Sequence, residues 1–171
     1  MSAATNTDEC NLSWGYDASG CVSEDIEPLA VPTLLGACRL LDFWNTRPED
    51  GLLIGRDVPS RKIGPLLSNI MVCEPVDEGR DLLVHLSGDG VRHRFGAAAK
   101  GKKLSQLLPR EDFLCHLAYA LHVVETNQPA VFSSHLHSRA VDLIRMEVVA
   151  LPVWSQERSA KWVLAGLFYF R

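Results

Sequence analysis

The last third of the chain contains three consecutive strand-forming segments with no helix-forming segment between them. Residues 130–137, 141–153 and 161–170 are rich in β-branched and aromatic residues, and short turns at residues 138–139 and 155–160 separate them. Strands joined by such short links pair antiparallel, because a parallel crossover needs about a dozen residues or more. The last segment is apolar on both faces, which predicts a strand that is covered from both sides.

The stretch 81–109 predicts a strand followed by a series of short elements. Gly88 and Gly90 predict a tight turn with positive φ angles. Val91 and Phe95, four residues apart, then predict a short helix. Before the turn, apolar residues alternate with the period of a half-buried strand. They are Leu82, Val84 and Leu86. Short elements of this kind, between a strand and a long helix, usually enclose a cavity.

Gly96 and Gly101 flank the connection after the short helix, and we expect both to be structural turn positions with positive φ. Residues 96–102 also fit the GxxxxGK pattern of a phosphate-binding loop. However, position 103 is Lys where that pattern requires Ser or Thr, and residues 91–95 separate the loop from the preceding strand. A nucleotide-binding enzyme therefore remains a minority alternative to a structural turn with a solvated basic rim.

Two helices and one further strand complete the pattern. Residues 34–47 carry apolar side chains at helical spacing after Thr33, a candidate N-cap. This stripe consists of Leu34, Leu35, Cys38, Leu41 and Trp44. The longest helix is predicted at residues 111–127, and a first strand at residues 70–76. The predicted order is thus a helix, two strands, short helices, a long helix and three strands.

This order resembles that of a PAS domain, and so does the spacing Leu82-Val84-Leu86-x-Gly88, Phe95-Gly96 and Gly101-x-x-Leu104. More narrowly, it is similar to the small bacterial single-domain PAS proteins, in which a helix carrying a Trp and a Pro-x-Arg element precede the sheet. The corresponding residues here are Phe43-Trp44 and Pro59-Ser60-Arg61. The resemblance covers about residues 34–171.

The resemblance implies an α+β fold, with a five-stranded antiparallel sheet, helices over one face and an N-terminal helix. It also implies a cavity between sheet and helices that can hold a small molecule. We expect apolar residues to line this cavity, namely Leu86, Phe95, Leu104, Leu117, Leu121 and Phe132. Members of the family act as sensors or as protein-interaction modules in signalling, and the fold alone does not choose between these functions.

Residues 1–32 are acidic and poor in apolar side chains, which predicts a disordered or loosely attached segment before a domain at residues 33–171. The formal net charge of −4 argues against a nucleic-acid partner. Five cysteines, odd in number and without a CxxC pair, are typical of reduced thiols. The sequence shows neither a signal peptide nor a membrane span, so we expect a cytoplasmic protein without membrane insertion.

Neither a catalytic site nor a metal site is predicted. The sequence has no GxSxG motif and no Ser or Cys set beside a His in a known local signature, so we expect a protein that is not an enzyme. His135 and His137 could ligate a metal with His85, but the implied strand order places their strands at opposite edges of the sheet. The cofactor is unknown. Haem-binding relatives ligate iron with a His on the long helix, which here contains His116 and His122.

Two functions remain open. The first is a regulatory adaptor that docks on a protein partner, and the second is a sensor that changes its contacts when a small ligand or haem fills the cavity. The helix at residues 34–47 must bury its apolar stripe, so we expect it to cover the outer face of its own sheet or that of a second copy. The predicted contact, in a homodimer or with another protein, includes Leu41, Trp44 and Trp162.

Overall fold

The computed structural model describes residues 23–95, 98–138 and 141–170, and these ranges contain six β-strands and three α-helices. In chain order they are β1 Ser23–Pro28, α1 Leu35–Asn45, β2 Ile70–Val76, β3 Asp81–Ser87, α2 Arg92–Phe95, α3 Arg110–Thr126, β4 Ala130–Ser138, β5 Val141–Trp154 and β6 Lys161–Tyr169. Short 3₁₀ helices lie between them at Arg61–Asn69, Asp77–Gly79, Asp89–Val91 and Leu104–Gln106. The protein therefore has a mixed α/β architecture consistent with the α+β class.

All six strands form one sheet in the order β1-β4-β5-β6-β2-β3, and every neighbouring pair is antiparallel. The three strands after α3 are consecutive neighbours, as their short links require. The strands β2 to β6 have nearly the bounds that the sequence predicts. The sheet has six strands rather than the five that were expected, because β1 adds to its edge.

The strand β1 corrects the prediction of a disordered segment at residues 1–32. Residues 23–28 pair with β4 from Ser23–His137 to Pro28–Phe132, and the amide of Leu29 donates to the carbonyl of Val131. An edge strand needs backbone partners more than apolar side chains, and Ile26, only 1% exposed, suffices to anchor it in the core. Residues 1–22 lie outside the described part of the chain, so the rest of that prediction is not tested.

A β-bulge in β3 changes the face on which Leu86 lies. Val84 pairs with Cys73, but the next pair along is Leu86 with Val72, so β3 carries one extra residue at this point. The alternation of side chains is interrupted at such a bulge. Leu82 and Val84 consequently face the inner side of the sheet, whereas Leu86 packs on the outer side.

The helix α3 covers the inner face of the sheet. Phe113, Leu117 and Val123 from α3 pack in an apolar cluster with Val84 of β3 and Val163 of β6. Within the described ranges, none of the helices combines the length and the apolar character that crossing a membrane requires.

The helix α1 and the 3₁₀ helix Arg61–Asn69 cover the outer face of the sheet. The strand β6 is therefore covered from both sides, as its two apolar faces predict. The buried residues of α1 are Ala37, Leu40, Phe43 and Trp44. The predicted stripe was therefore rotated from the true contact face, because Leu35 is 66% exposed and Leu34, Cys38 and Leu41 are only half-buried. Small residues mark the true face, since a side chain at Gly36 would collide with the ring of Phe168.

A carboxylate from the sheet holds the start of α1. Glu147 on β5 is fully buried and accepts hydrogen bonds from the backbone amides of Thr33 and Leu34, at 3.0 and 2.8 Å, and from the Thr33 hydroxyl. The N-cap is Leu34, which has no side-chain acceptor, so the predicted cap at Thr33 is wrong. Glu147 supplies from another element what a capping side chain normally supplies locally.

Candidate functional site

A small cavity lies between α3 and the inner face of the sheet, where the resemblance places a ligand. Its volume is about 40 Å³. Of the six predicted lining residues, Leu104 and Phe132 line it. Leu117, Leu121 and Phe95 belong to the surrounding apolar cluster. Leu86 lies on the other face of the sheet because of the bulge in β3, so its assignment to the cavity is wrong.

Many of the lining residues that the sequence did not indicate are small or aromatic, and the others are Met71, Leu82, Val148 and Val163. The small ones are Cys73, Ala120, Ala150 and Ala165, and the aromatic ones are His116 and Tyr119. Tyr119 stacks on Phe132 with ring centroids 4.3 Å apart, and His116 meets the edge of the same ring. Aromatic rings from α3 and β4 thus occupy much of the space between helix and sheet. In the sequence, this space is indicated only by the alanines of β5 and β6 that face inward.

The residues around the cavity do not fit a flavin or a haem in this conformation. Small-molecule sites in proteins typically measure about 300–1,000 Å³, roughly ten times the volume found here. His116 borders the cavity, but His122 is exposed on another side of α3. A planar macrocycle beside His116 would have to displace Tyr119 and Phe132.

The thiol of Cys73 near this region is not activated. Cys73 and Cys115 are buried free cysteines, and burial raises the pKa of Cys73 to about 12. A thiol with this pKa is protonated at neutral pH and is a poor nucleophile.

The described part of the connection after α2, from residue 98 onward, does not have the geometry of a phosphate-binding loop. The amide of Gly101 donates to the carbonyl of Val84, and the amide of Val84 donates to the carbonyl of Lys102, so residues 101–102 pair with the edge of β3. Lys103 forms an ion pair with Asp77 at 2.6 Å. A three-residue 3₁₀ helix follows, where a phosphate-binding loop opens a long helix.

Three of the four predicted turn glycines lie among the described residues. Gly101 has a φ of +83°, in agreement with the sequence. Gly88 has a φ of −72°, and Gly90 also lies outside the positive-φ region. The prediction that both glycines have positive φ is therefore wrong. Both instead lie against backbone: a Cβ would sit 2.2 Å from the Leu67 carbonyl oxygen at Gly88, and 2.8 Å from that of Ser68 at Gly90. Gly96 falls outside the described residues.

The histidines that the sequence offers as possible metal ligands lie far from one another in the sheet. His85 is on the edge strand β3, and His135 is on β4, next to the other edge. His85 Nε2 lies 2.5 Å from a carboxylate oxygen of Glu74, and its ring stacks on Trp162 at 4.3 Å. Among the described residues, no group of three or more potential metal ligands occurs.

A groove of about 470 Å³ lies between α1 and the 3₁₀ helix Arg61–Asn69. We call it the basic groove. Its lining residues are Arg39, Asp42, Phe43, Thr46, Arg61, Lys62, Pro65 and Leu66. Phe43 and Leu66 are buried and contribute apolar surface at its base, while the charged residues are exposed at its rim.

Local structure explains why these side chains converge. Three groove residues of α1 and the residue at its C-cap follow the i, i+3, i+4, i+7 spacing of one side of a helix. They are Arg39, Asp42, Phe43 and Thr46. On the opposite wall, the Ser60 hydroxyl accepts a hydrogen bond from the amide of Lys62 at 3.2 Å and caps the 3₁₀ helix. Arg61 and Lys62 therefore lie in its first turn, and Leu66 turns into the outer-face core.

The charge of the basic groove is not balanced. Arg39, Arg61 and Lys62 contribute three positive charges against the single negative charge of Asp42. Within the described part of the chain, none of these three cations forms an ion pair. Some other cations do, namely Arg56, Arg80, Lys103 and Arg158. Three unneutralised cations around an apolar base make the groove complementary to an anion that carries an apolar group.

A second, smaller groove near the end of β5 differs in this respect. Its volume is about 210 Å³ and its cations are already engaged. Arg47 lies over the ring of Trp44 at 3.8 Å, and Lys161 donates to the Asn127 side chain at 2.6 Å. The hydrogen bond from Arg56 lowers the pKa of Asp50 in the same region. Both cations of this groove thus already have a contact within the chain.

No protein-family model, no curated protein and no solved structure matches this chain. The function therefore rests on the geometry of the chain itself.

The three residues predicted to form an interface are mostly engaged within the protomer. Trp44 is only 3% exposed beneath α1, and Leu41 packs against the outer-face core. Trp162 also packs there and stacks on His85. Of the two surfaces proposed for α1, the structure shows the outer face of its own sheet. A homodimer through Trp44 would require α1 to detach.

Proposed function

We propose that this protein is a PAS-like, non-catalytic regulatory module that acts by associating with another protein at the basic groove. The observation that carries the proposal is a set of three cations above an apolar base formed by two different elements. These cations, Arg39, Arg61 and Lys62, have no ion-pair partner among the described residues. A partner segment that presents carboxylates around an aromatic or aliphatic side chain matches both features.

The order of the strands supports the PAS resemblance. Without β1, the sheet reads β4-β5-β6-β2-β3, five antiparallel strands with the first and last strands of the PAS-like region in its interior. The long helix α3 and the short helices before it lie over one face. This arrangement agrees with the fold that the resemblance implies.

The volume of the inner cavity favours association over ligand sensing. At about 40 Å³ it can hold water molecules but not a drug-sized ligand. A sensor would have to open this cavity on binding, whereas the basic groove is already open. The groove is also within the size range of preformed binding sites.

Binding of a labelled peptide to the full chain tests the proposal. The probe is a short peptide of glutamates around a central tryptophan, and the control peptide has glutamine in place of every glutamate. We expect the acidic peptide to bind, and the double variant Arg39→Glu/Arg61→Glu to weaken binding by about tenfold or more, as measured by fluorescence anisotropy.

A matched variant distinguishes the effect of the groove cations on binding from the effect of the net charge of the chain. Arg92 and Arg110 are exposed arginines outside the groove, so Arg92→Glu/Arg110→Glu changes the charge equally. This variant should bind like the wild type. Equal weakening by both double variants, or equal binding of both peptides, would contradict recognition at the groove.

A further inference from the structure

We propose that the basic groove binds a phosphotyrosine side chain of a partner protein, with the phosphate held between Arg39 of α1 and Arg61 of the 3₁₀ helix. This inference rests on the proposed function, since it names the chemistry of the partner at the same surface. A segment that carries carboxylates is then the weaker of two ligands that the groove accepts.

The cations of the groove lie on two facing walls. Arg39 belongs to α1, whereas Arg61 and Lys62 belong to the 3₁₀ helix. With Asp42, the lining carries a formal charge of +2. A phosphate ester carries a charge of about −1.5 to −2 at pH 7 and offers three acceptor oxygens, whereas a carboxylate carries a single charge on two oxygens. One phosphate can therefore accept hydrogen bonds from both walls and neutralise the groove, which one carboxylate cannot.

The two arginines provide hydrogen-bond donors in the geometry that a phosphate requires. A guanidinium group can donate two parallel hydrogen bonds to a phosphate and is less strongly hydrated than an ammonium group. Arg56 shows this geometry within the chain, because its two terminal nitrogens donate to the two carboxylate oxygens of Asp50 at 2.9 and 3.1 Å. Arg39 and Arg61 are exposed and form no ion pair within the described ranges, so their guanidinium groups are available to a partner.

The distribution of charge along the groove favours an aromatic phosphate over a row of carboxylates. Arg39 and Thr46 are seven residues apart, so the α1 wall is about 10 Å long. Asp42 lies between them on the same side of the helix and would repel carboxylates spread along the groove. A phosphotyrosine side chain instead concentrates its charge at one end, and its neutral ring can lie beside Asp42 on the apolar base.

The base of the groove provides an apolar surface for the ring. Phe43 and Leu66 are 9% and 7% exposed, and Pro65 beside them is exposed. Apolar side chains at the base and cations at the rim match the ring and the phosphate of one residue. A phosphoserine has no ring and would leave the base uncovered. The groove volume of about 470 Å³ lies within the range of about 300–1,000 Å³ that is typical of small-molecule sites, so one phosphotyrosine side chain fits.

Fluorescence anisotropy with the full chain and short labelled peptides tests the inference. The probe carries one phosphotyrosine between alanines, and matched peptides carry tyrosine, sulfotyrosine or phosphoserine at the same position. We expect the phosphotyrosine peptide to bind at least about fivefold more tightly than the acidic peptide of glutamates around tryptophan. Sulfotyrosine keeps the ring and the tetrahedral anion but has only one negative charge, so it should bind about threefold or more weakly than phosphotyrosine. Phosphoserine should bind about fivefold or more weakly, and unmodified tyrosine more weakly still.

Variants of the chain locate the binding of the phosphotyrosine peptide. Arg39→Glu/Arg61→Glu should weaken this binding by about tenfold or more, and the matched Arg92→Glu/Arg110→Glu should not. Asp42→Asn removes the negative charge within the groove, so it should strengthen binding of the acidic peptide more than that of the phosphotyrosine peptide. We expect the preference for phosphotyrosine to fall by about twofold or more in this variant.

The outcomes distinguish this inference from the proposed function. If the phosphotyrosine peptide binds no more tightly than the acidic peptide, or no more tightly than the phosphoserine peptide, the inference is wrong and the groove function stands. An unchanged preference in Asp42→Asn would likewise contradict the inference alone. Equal weakening by the two double variants would place binding outside the groove and overturn both proposals. Failure of every peptide to bind would remove the groove function itself.

Discussion

At the scale of single residues, Gly88 and Gly64 test whether a glycine is required where another part of the backbone lies close to it. A Cβ at Gly88 would lie 2.2 Å from the Leu67 carbonyl oxygen and 2.5 Å from that of Ser68, whereas one at Gly64 would meet nothing within 4 Å. Gly88→Ala should therefore lower the free energy of unfolding by about 1–3 kcal/mol, while Gly64→Ala should leave it unchanged or slightly higher. Urea denaturation measures both. Equal stability of the two variants would show that the turn relaxes without cost.

Cys73 gives a prediction on pH dependence. Its pKa rises from 9.0 to about 12 through burial, so the unfolded chain loses this proton at a lower pH than the folded chain. The protonated thiol of Cys73 therefore contributes its full share to the free energy of unfolding below about pH 9. This share is lost as the pH rises toward 12, at about 1.4 kcal/mol per pH unit. Between about pH 7 and pH 10, the free energy of unfolding of the wild type should fall by about 1.4 kcal/mol more than that of Cys73→Ala. This difference cancels the titration of the tyrosines and lysines. An equal loss in both chains would exclude the effect.

At the scale of single elements, the strands of the sheet could be predicted from the sequence because β-branched and aromatic residues dominate them. The strand β1 could not, since backbone pairing with β4 holds it and Ile26 is its single buried apolar residue. The face of α1 was misassigned because apolar side chains lie on more than one side of this helix, and the predicted stripe left out Leu40 and Phe43, which are buried. Gly36 and Ala37 mark the contact, where the helix comes close to Phe168.

Glu147 connects two elements, because this residue of β5 accepts hydrogen bonds from the start of α1. No local sequence pattern predicts this contact. Glu147→Gln keeps the size of the side chain but places an amide donor among the backbone amides of Thr33 and Leu34. We expect a loss of about 1–3 kcal/mol and faster hydrogen exchange at the first turn of α1. Glu157→Gln, at an exposed position in the β5–β6 turn, is the control and should change neither.

At the scale of the whole molecule, the basic groove lay beyond sequence reasoning because it depends on how two distant elements are placed. Arg61 was noted as part of a Pro-x-Arg element, but Arg39 and Lys62 gained meaning only when α1 and the 3₁₀ helix met over the sheet. The inner cavity was predicted from the resemblance. Its small volume depends on Tyr119 and Phe132, whose stacking cannot be derived from their spacing.

The attachment of α1 to the sheet couples stability to binding across the whole molecule. A Cβ at Gly166 of β6 would lie 2.4 Å from Leu40 Cδ2 and 2.6 Å from Phe168 Cε2. Gly166→Val should therefore push α1 away from the sheet and cost about 1–3 kcal/mol. Because α1 forms one wall of the basic groove, we expect acidic-peptide affinity to fall by about fivefold or more under conditions where the chain remains folded.

Val163→Ala is the matched control for this last experiment, since Val163 lies on the inner face of the same strand. It should cost a similar free energy through the cavity that it creates, without moving α1. Its peptide affinity should equal that of the wild type. If both variants bound the peptide equally poorly, affinity would depend on overall stability rather than on the position of α1. If both bound it as well as the wild type, affinity would depend on neither. The distance between α1 and the 3₁₀ helix would then not control access to the groove.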